Sequence, residues 1–187
     1  PYSDVGNYTF DTYLDYVQQG IYLWENSPYV KNYPELYFLN YVLFHRTNDE
    51  EIKPCRTYFW EKIKDKVQGK TMVEAALEIN HWCAGEVMYQ GTDMRTGSAL
   101  EIYRSGVGRC GEEAVFVVNV MRSAGIPARP VYVPRWSHCD DNHAWVEVWC
   151  DGDWHYLGAC EPEAVLDKGW FTNAASRAMM IGSRWYD

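Results

Sequence analysis

Nowhere in this chain do about 20 apolar residues follow one another, the length a helix needs to span a bilayer, so no segment is expected to insert into a membrane. Basic residues are few and scattered. Seventeen Lys and Arg face twenty-six Asp and Glu, for a net charge of −9. No cluster of them would follow a phosphate backbone or bind anionic lipid, so nucleic acid is not an expected partner. The cysteines at 55, 83, 110, 139, 150 and 160 form no CxxC pair and are too sparse for a disulfide-stapled small protein. His138, Cys139, Cys150, His155 and Cys160 lack the tight paired spacing of a structural zinc site, so neither a metal nor a cofactor is expected. One cysteine set aside as a nucleophile leaves five, so another stays unpaired and the redox compartment is open. Repeats, low-complexity tracts and linkers are also missing, which points to one domain over 1–187, with a helical N-terminal part in 1–70 and its core in 71–187. The chain opens at Pro1 without an initiating Met or a charged-then-apolar leader, and reads as a piece excised from a longer or processed protein with other domains.

What is present fits a globular core. Apolar residues make up 47% of the 187 and charged residues 23%, enough of each for a buried centre and a solvated surface. Aromatic residues reach 16%, a richness that serves either a core of large rings or a ring-lined groove for peptide or sugar.

The periodicity is helical first. Pro34 can open a helix through Leu36, Leu39, Val42 and Leu43. Thr71 to Glu74 and Ser98 to Glu101 are capping boxes, in which a side chain at each end answers the other's free N–H. A strong helix is predicted from about 110 to 124, with Ala114, Val117, Val118 and Met121 on its buried face and Gly125-Ile-Pro127 as its stop. The period then changes to two. Ala128–Val133 reads as a strand, Arg135–Asn142 as a polar loop and His143–Cys150 as a second strand with Ala144, Val146 and Val148 on one face. Asp151-Gly152 is a hairpin turn, Trp154–Ala159 the returning strand, and Ala178–Ile181 a last strand. Helices followed by an antiparallel sheet packed on the 110–124 helix is an α+β arrangement.

Two residues in this order suggest chemistry. Cys110 stands at a helix start after a glycine-containing turn, where free N–H groups and the positive helix end favour thiolate and should lower its pKa. The same N–H groups, Gly111's among them, are placed to stabilise an oxyanion. His143 begins a strand directly after a polar loop, where an imidazole can face a cleft and move a proton for the cysteine. Glu112 and Glu113, in the first helical turn, complement the helix dipole.

The segment Ser98-Ala-Leu-Glu-Ile-Tyr-Arg-Ser-Gly-Val-Gly-Arg-Cys-Gly-Glu-Glu-Ala114 resembles the nucleophile segment of transglutaminase-like proteins. Asn142-His-Ala-Trp-Val-Glu-Val148 resembles their histidine segment and Asp151-Gly-Asp-Trp154 the hairpin beyond. Arg109-Cys-Gly-Glu112 and Cys160-Glu161 are also similar to the peptide:N-glycanase branch. The resemblance covers roughly 71–170. It implies a papain-like fold, a Cys110–His143 pair, a polypeptide or glycopeptide amide as substrate, and a leaning toward an exported or cell-surface location. Trp82, on the preceding helix, resembles the family's indole donor to the oxyanion, or is a packed core ring.

One family position is changed. The Asp that follows the hairpin Trp by four residues, before Pro, and orients the histidine is here Gly158. Glu161, which precedes Pro162, is the first substitute, with Asp140, Asp141 and Glu163 behind it. A regular two-residue turn pairs positions that sum to 303 and sets Cys160 opposite His143; a slip or bulge would bring Glu161 there. Two functions follow. One is a cysteine acyl-transfer enzyme that opens an amide through a thioester, hydrolytic by default, with transamidation as the variant. The other is a binding or structural module that keeps the fold without the chemistry, for which Gly158 is the best argument.

Overall fold

The computed structural model describes residues 2–91 and 95–183. Helices α1 (Tyr2–Asn7) and α2 (Phe10–Asn26) come first. Then α3 (Glu35–Phe38) runs on into a π-helical turn at Leu39–Leu43, so the helix predicted after Pro34 forms and widens in its second half. Next come α4 (Arg56–Val67) and α5 (Met72–Glu86). A short parallel pair, β1 (Met88–Tyr89) with β2 (Val107–Gly108), brackets α6 (Ala99–Ser105). Both capping boxes form as predicted, and Gly106 ends α6 at φ +70, a left-handed conformation suited to glycine.

The central element is α7 (Cys110–Ser123). A single buried face was expected; instead every residue from Glu112 to Ser123 is buried. The helix is enclosed because α4, α5 and α6 pack on one side and the sheet on the other. That enclosure explains its buried polar residues. Arg122 donates to the carbonyls of Ala128, Phe44 and Arg46, and Asn119 to that of Val115. These bonds remove the cost of burying such groups.

The sheet has the order β5-β4-β3-β6. Strands β3 (Ala128–Val133), β4 (His143–Cys150) and β5 (Asp153–Leu157) are antiparallel neighbours, and Asp151 and Gly152 turn the hairpin at φ 53 and 94. Val146 and Val148 join the core cluster under α7, with the half-buried Ala144 packed against it, while Trp145 packs on the opposite face with Val131, Val133, Trp136 and Phe171. The period of two thus separates two apolar clusters. Residues from 1–70, Leu23, Phe38 and Phe59 among them, share the first cluster with α7.

Two strand expectations are corrected. The last strand, β6, is Gly182–Ser183 beside β3, with Ala178–Ile181 outside it; a short α8 (Thr172–Ala175) precedes them. The hairpin keeps the predicted pairing, Trp149 with Trp154 through Val146 with Leu157, and stops at Leu157 short of Ala159. There the chain turns. Glu161 N–H donates to the Gly158 carbonyl at 3.1 Å, and Cys160 takes φ +57.

Candidate active site

The start of α7 meets the start of β4 in a groove of about 870 Å³ lined by Cys110, Gly111, His143, Ala144, Glu161 and Trp170, with Tyr89 and Tyr132 among its other walls. The backbone amides of Ala144 and Gly111 lie near enough to the Cys110 thiol to favour its thiolate form, so the residue adjoining His143 in sequence neighbours the nucleophile candidate. The helix start is fixed by Glu112, whose carboxylate accepts the Arg109 N–H at 3.0 Å and the Gly97 N–H at 3.2 Å. A Cβ at Gly111 would meet nothing within 4 Å, which leaves the first turn open to the groove.

The electrostatics differ from expectation. The helix start was expected to lower the Cys110 pKa, yet it is raised. Burial outweighs the N–H groups of Ala144 and Gly111, and Glu113 adds to the rise while Arg109 opposes it. His143 is pushed down to about 4 by burial, which the charge of Asp141 only partly offsets. Its cage is aromatic: Trp170 and Phe171 lie 4.8 and 4.9 Å from the imidazole, and Trp136 and Trp145 stand at 6.3 and 6.2 Å. Thiol and imidazole therefore rest uncharged.

Glu161 comes close to the imidazole, with Oε2 3.8 Å from His143 Nε2, while its Oε1 accepts the Trp170 indole N–H at 2.9 Å. Neither a slip nor a bulge brings it there. The turn after Leu157 folds it back beside Gly158, so Cys160 does not pair with His143. A Cβ on Gly158 would fall 2.8 Å from the Glu161 Cβ and nearer still to Oε2, so the Glu161 side chain fills the space that a side chain at 158 would need. The other carboxylates are engaged elsewhere. Asp140 pairs with Arg135 at 3.2 Å, Glu163 with Lys168 at 2.9 Å, and Asp141 accepts the Asn142 N–H at the groove's rim.

For Trp82, given either as an indole donor or as a packed core ring, the surroundings fit the second. Its indole packs against Tyr103 and Phe116, each 6.0 Å away, and does not line the groove. It faces the helical side of α7, away from the sheet, and serves as a core ring. Glu113 departs from expectation. Burial first, then the charges of Glu161 and Glu112, raise it to about 8, so it is uncharged at neutral pH and adds little to the helix end. Sequence reasoning missed Trp170, which lies beyond the hairpin with no motif around it.

A sequence profile of the transglutaminase-like superfamily matches residues 61–159, a span that contains Cys110, His143 and Gly158 and ends two residues before Glu161. No curated protein matches the chain. Among solved structures, a candidate cysteine protease of Cytophaga hutchinsonii shares 19% identity at a TM-score of 0.48, over 70% of this chain and 46% of that one. A candidate protease of Parabacteroides distasonis shares 18% at 0.46, over 56% and 22%. LapG of Legionella pneumophila shares 17% at 0.48, over 65% and 68%. The chain thus spans less than half the length of the Cytophaga protein.

Proposed function

Because the chain belongs to the transglutaminase-like superfamily, we propose that it is a cysteine acyl-transfer enzyme that opens an amide or peptide bond through a thioester on Cys110. The observation that carries this reading is the shared groove, which Cys110, His143 and Ala144 line together.

The steps follow from the resting charges. An uncharged imidazole takes the thiol proton as the sulfur attacks the carbonyl carbon, forming C–S and moving the C=O π electrons onto oxygen. The open first turn of α7 offers N–H groups to that oxyanion. The imidazolium then gives its proton to the departing amine as the C–N bond breaks. Glu161 supports the imidazolium, which makes it the stand-in for the family's Asp. Water activated by the same imidazole opens the thioester, giving an acid. The groove is open to solvent along its aromatic walls, which favours hydrolysis over transfer to a second amine.

Acylation with a p-nitrophenyl acyl ester, read by peptide mass mapping, tests the proposal. The acyl group should appear on Cys110, and Cys110→Ala and His143→Ala should lose release of nitrophenol. Acyl groups confined to other residues, or a fully active Cys110→Ala, would overturn it and leave a binding module.

A further inference from the structure

Asn80 lies in the middle of α5, 1% exposed, with no place in the groove. Both ends of its amide are committed to one stretch of backbone. Its Nδ2 donates to the Gly158 carbonyl at 2.9 Å, and its Oδ1 accepts the Cys160 N–H at 3.1 Å. Those two groups flank the corner at which the chain leaves the β4–β5 ladder. Cys160 at that corner holds φ +57, which an L side chain resists without outside support. The residue after the corner is Glu161.

We infer that Asn80 is a positioning residue of the site: its side-chain amide holds the Gly158–Cys160 turn and thereby sets the Glu161 carboxylate against His143. The inference rests on the reading of Cys110, His143 and Glu161 given above.

The physical case is one of necessity. Glu161 is not carried by the ladder, which ends at Leu157, so strand pairing cannot fix its height over the imidazole. Inside the turn stand one hydrogen bond, Glu161 N–H to Gly158 O, and the packing of Ala159 in the core; packing is non-directional and does not by itself fix the turn's rotation. The Asn80 amide adds two bonds from a buried helix that shares the core with α7. It thereby ties the turn to the same rigid body as the nucleophile. Trp170 steadies the carboxylate from the outside, but its ring is 65% exposed and cannot supply that anchor. Asn is suited to the task, since its amide offers both a donor and an acceptor and brings no charge into a region that already holds Glu113 and Glu161.

The tautomer of His143 reports the outcome directly. With Glu161 in place, the ring should carry its proton on Nε2 and leave the Nδ1 lone pair for the thiol. Nitrogen-15 shifts of the imidazole at pH 7, assigned with His143→Gln, read this without a substrate. The expected result is one tautomer, Nε2–H, in the parent chain and a mixture in both Glu161→Ala and Asn80→Ala. Nitrophenol release should fall about tenfold in each single variant, and the double variant should lose no more than about twofold further, as for two residues acting through one path. Asn80→Ser, which keeps a small polar group, replaces Asn80→Ala if that variant does not fold. A merely structural Asn80 would lower the melting temperature, keep the single tautomer and lose activity additively with Glu161→Ala; that pattern overturns the inference. If Glu161→Ala itself keeps the single tautomer, the roles of Glu161 and Asn80 fall together, while acylation of Cys110 still decides the enzyme reading separately.

Discussion

His143 Nε2 and Glu161 Oε2 lie 3.8 Å apart, and each is a buried polar atom without a hydrogen-bond partner among the described residues. A small closing movement would satisfy both with one bond, and an unmade bond of this kind costs about 1–3 kcal/mol. Burial pushes both groups toward their uncharged forms, His143 downward and Glu161 upward. The gain from closing is therefore greatest when the imidazole becomes charged, which in the proposed reaction is the moment after it takes the thiol proton.

The acid limb of activity follows from His143. The imidazole must be uncharged to accept a proton, and its pKa is pushed to about 4 from 6.5. Activity should therefore persist as pH falls through 6.5 and fail near 4 to 5. Trp170→Ala, which opens the ring cage, should move the limb upward. The pH profile of kcat/KM for ester release checks this, and a parent limb at 6.5 would contradict it. A depressed histidine also lowers stability as pH falls from 6.5 toward 4, because the unfolded chain then binds the extra proton.

Gly158→Asp should cost activity even though it restores the family's residue type. Its Cβ would land 2.8 Å from the Glu161 Cβ and displace that side chain. A loss of about tenfold or more is expected, of the size seen when a supporting contact is removed. Gly158→Asp combined with Glu161→Gly, which returns the carboxylate to the ladder's end, should recover much of the turnover. A double variant no better than the single one would contradict the shared space.

Glu113 should make the protein less stable as pH rises. Its folded pKa is about 8 against an ordinary 4.5, so between those values the native state holds a proton that the unfolded chain has lost. Stability falls across that window by up to about 1.4 kcal/mol per pH unit and levels off above it. Glu113→Gln should flatten this slope and exceed the parent in urea resistance at pH 8, with little difference at pH 4. Equal slopes in the two proteins would contradict the assignment.

Arg122 ties the helical first third to the sheet through the carbonyls of Phe44, Arg46 and Ala128. Removing the guanidinium takes the side-chain donor from the Ala128 and Arg46 carbonyls, while that of Phe44 keeps Arg56 Nη2 at 3.0 Å. Arg122→Ala should cost about 3 kcal/mol or more in stability. If residues 1–70 and 71–187 form one folding unit, melting should stay a single transition followed equally by far-ultraviolet and tryptophan signals. Two separate transitions would show two units.

Local signals read well from the sequence where the chemistry is local. Both capping boxes, the start of α7, the Asp151-Gly152 hairpin and its register follow from residue types at fixed spacings. The placing of Cys110 and His143 in one groove was legible through the likeness of their two segments to those of transglutaminase-like proteins. What was not legible depends on contacts distant in sequence. Enclosure of α7 requires knowing that helices cover its far face. The raised Cys110 pKa depends on burial, which a helix-end argument omits. Trp82 was left between donor and core ring because its side of α5 could not be told from spacing alone. Glu161 does lie 3.8 Å from His143, but the turn that brings it there is bonded to Asn80, about eighty positions earlier, by contacts that no pattern in the sequence announces.

The ladder's end at Leu157 has an evolutionary consequence. A residue within paired strands cannot change its place without moving its neighbours, so its column in an alignment and its position in space remain tied. Past the last pair that tie is cut. Here the corner set by the left-handed Cys160 delivers an acid from 161, three positions beyond the glycine at 158. An empty column at 158 is therefore a poor sign of a dead enzyme. Among relatives whose hairpin also ends early, inheritance is better judged by the volume beside the imidazole than by the letter aligned to it.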